Sequence, residues 1–302
     1  MNTKVIMSII LIFGLLFVAG CSNNTQVNSG KLQVVASFYP MYDFSKNIGG
    51  NRVDVKTLIP VGVEPHDYEP TVSDIKYLNT ANVFVLNGVI EDSWAPKLLS
   101  GIDNKNLIVV DTSKKIQLVG SMDADSPGND PHIWLDPVLA KTQISEIRDA
   151  FIQADPTGKD YYDKNAADYM AKLDVLDSEF RSTFATCQKK DILITHATLA
   201  YFCKEYGCNQ VPVEGVNAEG DPSPAVVAEI INQAKEKNIT TVFVENLMNP
   251  KSAQTIATEI HGTAVVFNSL HGLTSVEQQH GEDYISQMQE NVQIIKTNLE
   301  CK

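Results

Sequence analysis

Apolar residues recur along this chain in two rhythms. Short, nearly continuous β-rich runs fall at 33–38 (QVVASF), 54–59 (DVKTLI), 83–88 (VFVLNG) and 107–111 (LIVVD) in the first half. They return at 191–195 (DILIT), 210–214 (QVPVE), 241–246 (TVFVEN) and 264–268 (AVVFN) in the second. Stretches with helical spacing separate them, at about 40–48, 73–80 and 92–100, then near 197–206, 224–237, 251–260 and 282–299. Buried runs alternating with helices predict an α/β protein built of βαβ units, each half with a mostly parallel sheet flanked by helices. Between the halves the pattern changes. Tyr162, Ala166, Tyr169, Leu173, Leu176, Phe180 and Phe184 follow one another three or four positions apart, with no Gly or Pro interrupting. That is one apolar stripe on one long helix. A second helix opens before it, with Asp136 as N-cap and Pro137 at its first position. The expected organisation is a leader at 1–20, a flexible tether at 21–31, an α/β lobe at 32–157, a rigid linking helix at 158–187 and a second α/β lobe at 188–302.

Composition narrows the class. The chain has 302 residues, 43% hydrophobic and 20% charged, which suits a folded globular protein. Its formal net charge of -13 argues against a nucleic-acid partner, which requires basic patches that displace counterions. The N-terminus carries Lys4, an apolar run from Val5 to Val18, then Ala19, Gly20 and Cys21. That layout predicts a secretory signal, and Val18-Ala19-Gly20-Cys21 resembles a bacterial lipobox, which makes Cys21 the lipidated first residue of the mature protein. An uncleaved membrane anchor is the alternative, and both place the protein outside the cytoplasm. Beyond Cys21, four of the five cysteines remain. In an exported protein they predict two disulfides, Cys203–Cys208 across CKEYGC and Cys187–Cys301 at the C-terminus; a cysteine metal site matches no zinc-finger spacing.

The candidate chemistry lies in the histidines. VEPHDYEP (63–70) and NDPHIWLDP (129–137) each hold an imidazole, His66 and His132, directly after a proline and among acids. Prolines stiffen such segments into extended or turn conformations. His196 follows a strand in ILITHATLAYF, where the C-terminal ends of parallel strands face the ligand crevice. His271 follows another strand in FNSLHGLT. His261, near the end of a predicted helix, and His280, at a predicted helix N-terminus, read as surface residues. Imidazoles converging from stiff loops and strand ends suit Zn²⁺, whereas harder cations favour oxygen donors. Glu64, Asp136 and Glu245 are candidates to accept the second N–H of those rings.

Together, ASFYPMYDFSKNIGG, PVGVEPHDYEPTVSDIKYL, NDPHIWLDP and THATLAYFCKEYG resemble the zinc- and manganese-binding solute-binding lipoproteins of ABC importers, from about Val34 to Leu299. The resemblance implies two lobes joined by one long helix, with the metal in the cleft between them. It implies ligand roles for His66, His132 and His196, the last at a position where manganese-binding members usually carry Glu. His271 stands where the family usually supplies an acidic residue. The segment 120–130 is short and lacks the histidine-rich insertion of many zinc-specific relatives. The implied function is capture of Zn²⁺, ahead of Mn²⁺, and delivery to an ABC permease by a monomeric, lipid-anchored protein that is not an enzyme. A zinc hydrolase with a three-His site and a surface adhesin are the alternatives. No HExxH or GxSxG pattern supports the first.

Overall fold

A computed structural model describes residues 30–65, 68–88, 93–121, 128–216 and 222–302. The leader, Cys21, most of the tether and His66 lie outside the described residues. The first half folds as β1 (Leu32–Ala36), α1 (Tyr39–Gly49), β2 (Val53–Thr57), α2 (Val72–Thr80), β3 (Val83–Leu86), α3 (Ala95–Ser100) and β4 (Ile108–Asp111). α4 (Pro137–Ala154) and the linking helix α5 (Lys159–Thr186) follow. The second half repeats the first: β5 (Asp191–His196), α6 (Ala200–Tyr206), β6 (Asn209–Glu214), α7 (Pro224–Glu236), β7 (Thr241–Glu245), α8 (Lys251–Glu259) and β8 (Thr263–Phe267). α9 (Ser275–His280) and α10 (Tyr284–Asn298) close the chain. Each half carries a four-stranded sheet, ordered β2-β1-β3-β4 and β6-β5-β7-β8, with every pairing parallel. Parallel strands need helical crossovers, which bury both faces and explain the continuous apolar runs.

The stripe on α5 is buried at all seven positions. It is covered from both sides of the molecule: one hydrophobic cluster runs from Leu32 and Phe44 through the stripe to Phe243, Phe267 and Leu299. The two sheets therefore share a core across α5, while the other face of each packs a cluster of its own, around Leu78 and Phe84 in the first and around Val242 and Ile256 in the second. Burying each large apolar side chain contributes roughly 1.5–3 kcal/mol, so pulling the halves apart would expose a costly seam.

Local chemistry sets the ends of α4. Asp136 accepts from Val138 N–H (2.8 Å) and Leu139 N–H (3.4 Å), and Pro137 occupies the first turn. Burial, together with the charges of Glu205 and Asp177, pushes the Asp136 carboxyl from 3.8 up to about 7, against the pull of its backbone hydrogen bonds. A carboxyl raised on folding binds protons more tightly in the native state. Its contribution to stability is therefore present at low pH and is lost as pH rises through about 7. Asp136→Asn keeps a capping acceptor without the charge. It is expected to flatten this part of the stability–pH profile in urea unfolding; Asp136→Ala flattens it as well and, having lost the cap, costs about 1 kcal/mol at low pH.

Three expectations need correction. α6 begins at Ala200, not 197, because residues 197–199 turn tightly after the strand, with Thr198 N–H donating to His196 O (2.9 Å). His280 ends α9 instead of starting a helix; Thr274 and Glu277 form the capping box that opens α9, and Asp283 caps α10. Cys187 and Cys301 are joined by a disulfide, but Cys203 and Cys208 are not bonded: both are buried thiols. They meet across the C-terminal turn of α6, where Gly207 takes a φ of 70° and Cys203 O accepts from Gly207 N–H and Cys208 N–H. Burial and the hydrogen bond with Cys208 hold the Cys203 thiol well above its ordinary pKa, which suppresses the thiolate that disulfide exchange needs.

Candidate metal centre

The C-terminal ends of the second sheet's strands carry the first donors. β5 ends at His196, which pairs in register with Glu214 on β6. β7, next to β5, ends at Glu245. His196 Nδ1 and Glu245 Oε1 form a close ion pair, and Thr195 Oγ accepts from Glu245 N–H at 3.3 Å. Both residues are almost fully buried. Burial alone would raise the Glu245 carboxyl. The charge of His196 and hydrogen bonds from His196 and His271 outweigh that effect and hold it well below the usual carboxylate range.

His271 arrives from the loop after β8. Asn268, buried, organises that loop: its N–H and C=O pair with the side chain of Asn291 (3.0 and 2.8 Å). Its Nδ2 donates to Glu277 and Gln287 (2.9 and 2.8 Å) and its Oδ1 accepts from Leu270 N–H (2.9 Å). This network holds the wholly buried Leu270 at a φ of 60°. A left-handed conformation costs a leucine roughly 1–2 kcal/mol, and here it turns the chain so that His271 enters the cluster. His271 Nδ1 lies 2.9 Å from Ser269 Oγ and 3.5 Å from Glu245 Oε2.

His132 comes from the segment between β4 and α4. Asp130 Oδ1 accepts both the His132 N–H (2.9 Å) and its Nδ1 (3.0 Å). The segment is pinned by Asn87 Nδ2 donating to Pro131 O (2.9 Å) and by Tyr201 OH, from α6, donating to Asp130 O (2.8 Å). Gln143 Nε2 holds Asn87 in turn (2.9 Å). Burial raises the Asp130 carboxyl to about 6, outweighing the opposite pull of the His132 N–H and of the charges of His196 and His271.

The structure brings His132, His196 and His271 together: one nitrogen from each lies within 4.8 Å of the others, and all three are buried. His132 Nε2 and His196 Nε2 are 3.3 Å apart. Two nitrogens on one tetrahedral zinc, at about 2.0–2.1 Å each, lie roughly 3.3–3.4 Å apart. When the rings are neutral and each gives its Nδ1–H to the carboxylate behind it, both Nε2 atoms present lone pairs to a cation. Only a shared proton or a cation makes such an approach favourable. The donor set and its spacing therefore fit zinc.

Of the other candidates, Glu245 touches two rings, those of His196 and His271. Asp136 does not: its carboxylate is used on the α4 backbone, and Asp130, which sequence reasoning passed over, holds His132 instead. Glu64 is half-buried, and its Oε1 has no hydrogen-bond partner among the described residues. The segment leading to His66 lies against the one leaving His271, since Gly62 N–H donates to Leu273 O (3.1 Å). His261 and His280 are exposed, as expected.

A pair of lobes with parallel sheets, joined through a long helix and enclosing buried imidazoles, defines a solute-binding protein with a donor set suited to a transition metal. Residues 34–298 match the family described as zinc-uptake complex component A, periplasmic (ZnuA), and the chain belongs to that family. It is 37% identical over 303 residues to the high-affinity zinc uptake system protein ZnuA of Bacillus subtilis, covering 95% of each chain. It is 33% identical over 292 residues to the zinc-binding lipoprotein AdcA of Streptococcus pneumoniae, covering 93% of this chain and 58% of AdcA. The crystal structure of the Zn(II)-bound ZnuA-like domain of that AdcA aligns with a TM-score of 0.80 at 32% identity, over 90% of this chain and 100% of the domain. The chain is thus a binding protein of a zinc-uptake family, not an enzyme.

Proposed function

We propose that this chain captures Zn²⁺ outside the cytoplasm and delivers it to the permease of an ABC importer. His132, His196 and His271 bind the ion, and His66 supplies the fourth nitrogen from its proline-bounded loop. The observation that carries this reading is the 3.3 Å approach of His132 Nε2 to His196 Nε2, with a carboxylate behind each ring. The names of the B. subtilis and S. pneumoniae relatives, a zinc uptake protein and a zinc-binding lipoprotein, point the same way. Neutral nitrogens favour Zn²⁺ over Mn²⁺, which prefers oxygen-rich shells. Four protein ligands would leave no open position for a substrate, the opposite of a catalytic zinc site.

A lipid on Cys21 tethers the protein to the outer face of the cell membrane. Among the described residues no helix is long and apolar enough to cross a membrane. The protein acts as a monomer. Chelator-competition titration of the purified protein tests the metal reading. One tight zinc site is expected, with Mn²⁺ far weaker and a clear loss of zinc affinity in His271→Ala. An unchanged affinity in that variant would remove His271 from the site, and the absence of any tight site would overturn the function.

A further inference from the structure

Trp134 is wholly buried and lies against two of the metal-binding rings at once. Its indole centroid is 5.3 Å from the His132 ring and 5.0 Å from the His271 ring, the second contact edge-on at 81°. The indole Nε1–H donates to Ser269 O at 2.8 Å. Tyr284 OH donates to Trp134 O at 2.6 Å, and Phe38 packs edge-on against the indole at 4.8 Å. These neighbours come from three places: Phe38 follows β1 of the first sheet, Ser269 follows β8 of the second, and Tyr284 opens α10. One rigid side chain therefore joins the segment that carries His132 to the loop that carries His271.

We propose that Trp134 sets the separation of His132 and His271 and so makes the site discriminate for a small, four-coordinate ion. The inference rests on the reading that these imidazoles hold zinc. Trp134 does not touch the metal; it is a positioning residue. The indole fills the space beside both rings, so neither can shift toward it unless the indole turns. Turning the indole strands a buried N–H whose partner is the Ser269 carbonyl. Larger ions that keep more ligands need a wider or more compliant cavity, and selectivity among divalent ions follows cavity size, ligand number and flexibility. A tryptophan that merely filled the core would leave coordination number unaffected when replaced by a well-folded aromatic.

The test compares the wild type with Trp134→Phe, which keeps an aromatic ring at this position but removes the N–H bond to Ser269 and part of the indole's packing surface. Zn²⁺ and Mn²⁺ affinities and the visible absorption of the Co²⁺ complex are read on protein whose fold is checked by thermal unfolding. Zinc affinity is expected to fall about 10–100-fold, the range for loss of a partner behind a metal ligand. The preference for zinc over manganese falls with it, and the intense four-coordinate Co²⁺ spectrum gives way to the weak bands of a higher coordination number. A folded variant with wild-type preference and spectrum overturns the inference. If Trp134→Phe does not fold, Tyr284→Phe, which removes only the hydroxyl bond to Trp134 O, takes its place. Smaller shifts of the same sign support the inference, and none overturns it. A wild type with no tight zinc site overturns the function itself.

Discussion

Replacing His196 with alanine is expected to lower zinc affinity by more than about a hundredfold, beyond the roughly 10–100-fold loss typical when only a partner behind a ligand is removed. His196 stands at the end of one of the second sheet's two interior strands, its Nε2 3.3 Å from that of His132 and its Nδ1 on Glu245. Its loss removes a donor and also leaves the buried Glu245 carboxylate without one of its two imidazole neighbours, which compounds the effect. Glu245→Gln is the informative companion. The amide preserves shape and one acceptor but not the negative charge that balances the ion, and zinc affinity is expected to fall about 10–100-fold. Isothermal titration against a competing chelator reads both. A Glu245→Gln loss equal to that of His196→Ala would mean that the carboxylate binds zinc directly, not through the rings.

The second large effect concerns stability. Cys187 ends α5 and is bonded to Cys301, just beyond α10, across a sequence separation of 114. Tying points so distant along the chain restricts the unfolded ensemble strongly, and removing such a bond typically costs 2–4 kcal/mol. The folded chain already holds these ends together through Lys189 N–H to Leu299 O (3.1 Å) and Lys302 N–H to Thr186 Oγ (3.2 Å). The native structure is therefore expected to survive without the disulfide. In the double variant Cys187→Ala/Cys301→Ala, the urea midpoint is expected to fall by an amount equivalent to about 2–4 kcal/mol. Zinc affinity below the transition should be unchanged, because the bond lies at the far end of the second sheet from His196. An unchanged midpoint would mean that the bond contributes nothing, and a lost affinity would mean that it shapes the site.

Much of the fold was legible because parallel strands buried on both faces leave continuous apolar runs; every predicted strand falls within two residues of one observed. The α5 stripe was legible for the same reason, but its partners were not. Periodicity tells which face is buried, not what covers it, and so it could not reveal that the two sheets share one core. The histidines stood out through their prolines and strand ends. Choosing the carboxylate behind His132 required weighing two acids at different offsets. Asp136 precedes Pro137 and the first turn of α4, so its oxygens are committed to backbone N–H groups. Asp130, two residues before His132, can reach both the main chain and the ring of that residue. That signal was present in Asp-Pro-His and was missed. Trp134, Asn268 and Leu270 were not legible at all, because their roles arise from hydrogen bonds between segments more than 20 residues apart or from a backbone conformation that residue type disfavours.

The shared core bears on release. Opening the halves by a wide hinge would expose apolar surface along α5, so the proposed release of zinc is expected to use movement of the histidine-bearing loops. Metal-free and zinc-bound structures should differ in those loops and not by a large rotation of one sheet against the other.

The most direct test of the centre is zinc K-edge X-ray absorption on the purified, zinc-loaded protein. Four light scatterers at about 2.0–2.1 Å, with the outer-shell signature of imidazole rings, are the predicted result. Six oxygen-rich neighbours, or sulfur at about 2.3 Å, would contradict it and put the ion somewhere other than among His66, His132, His196 and His271.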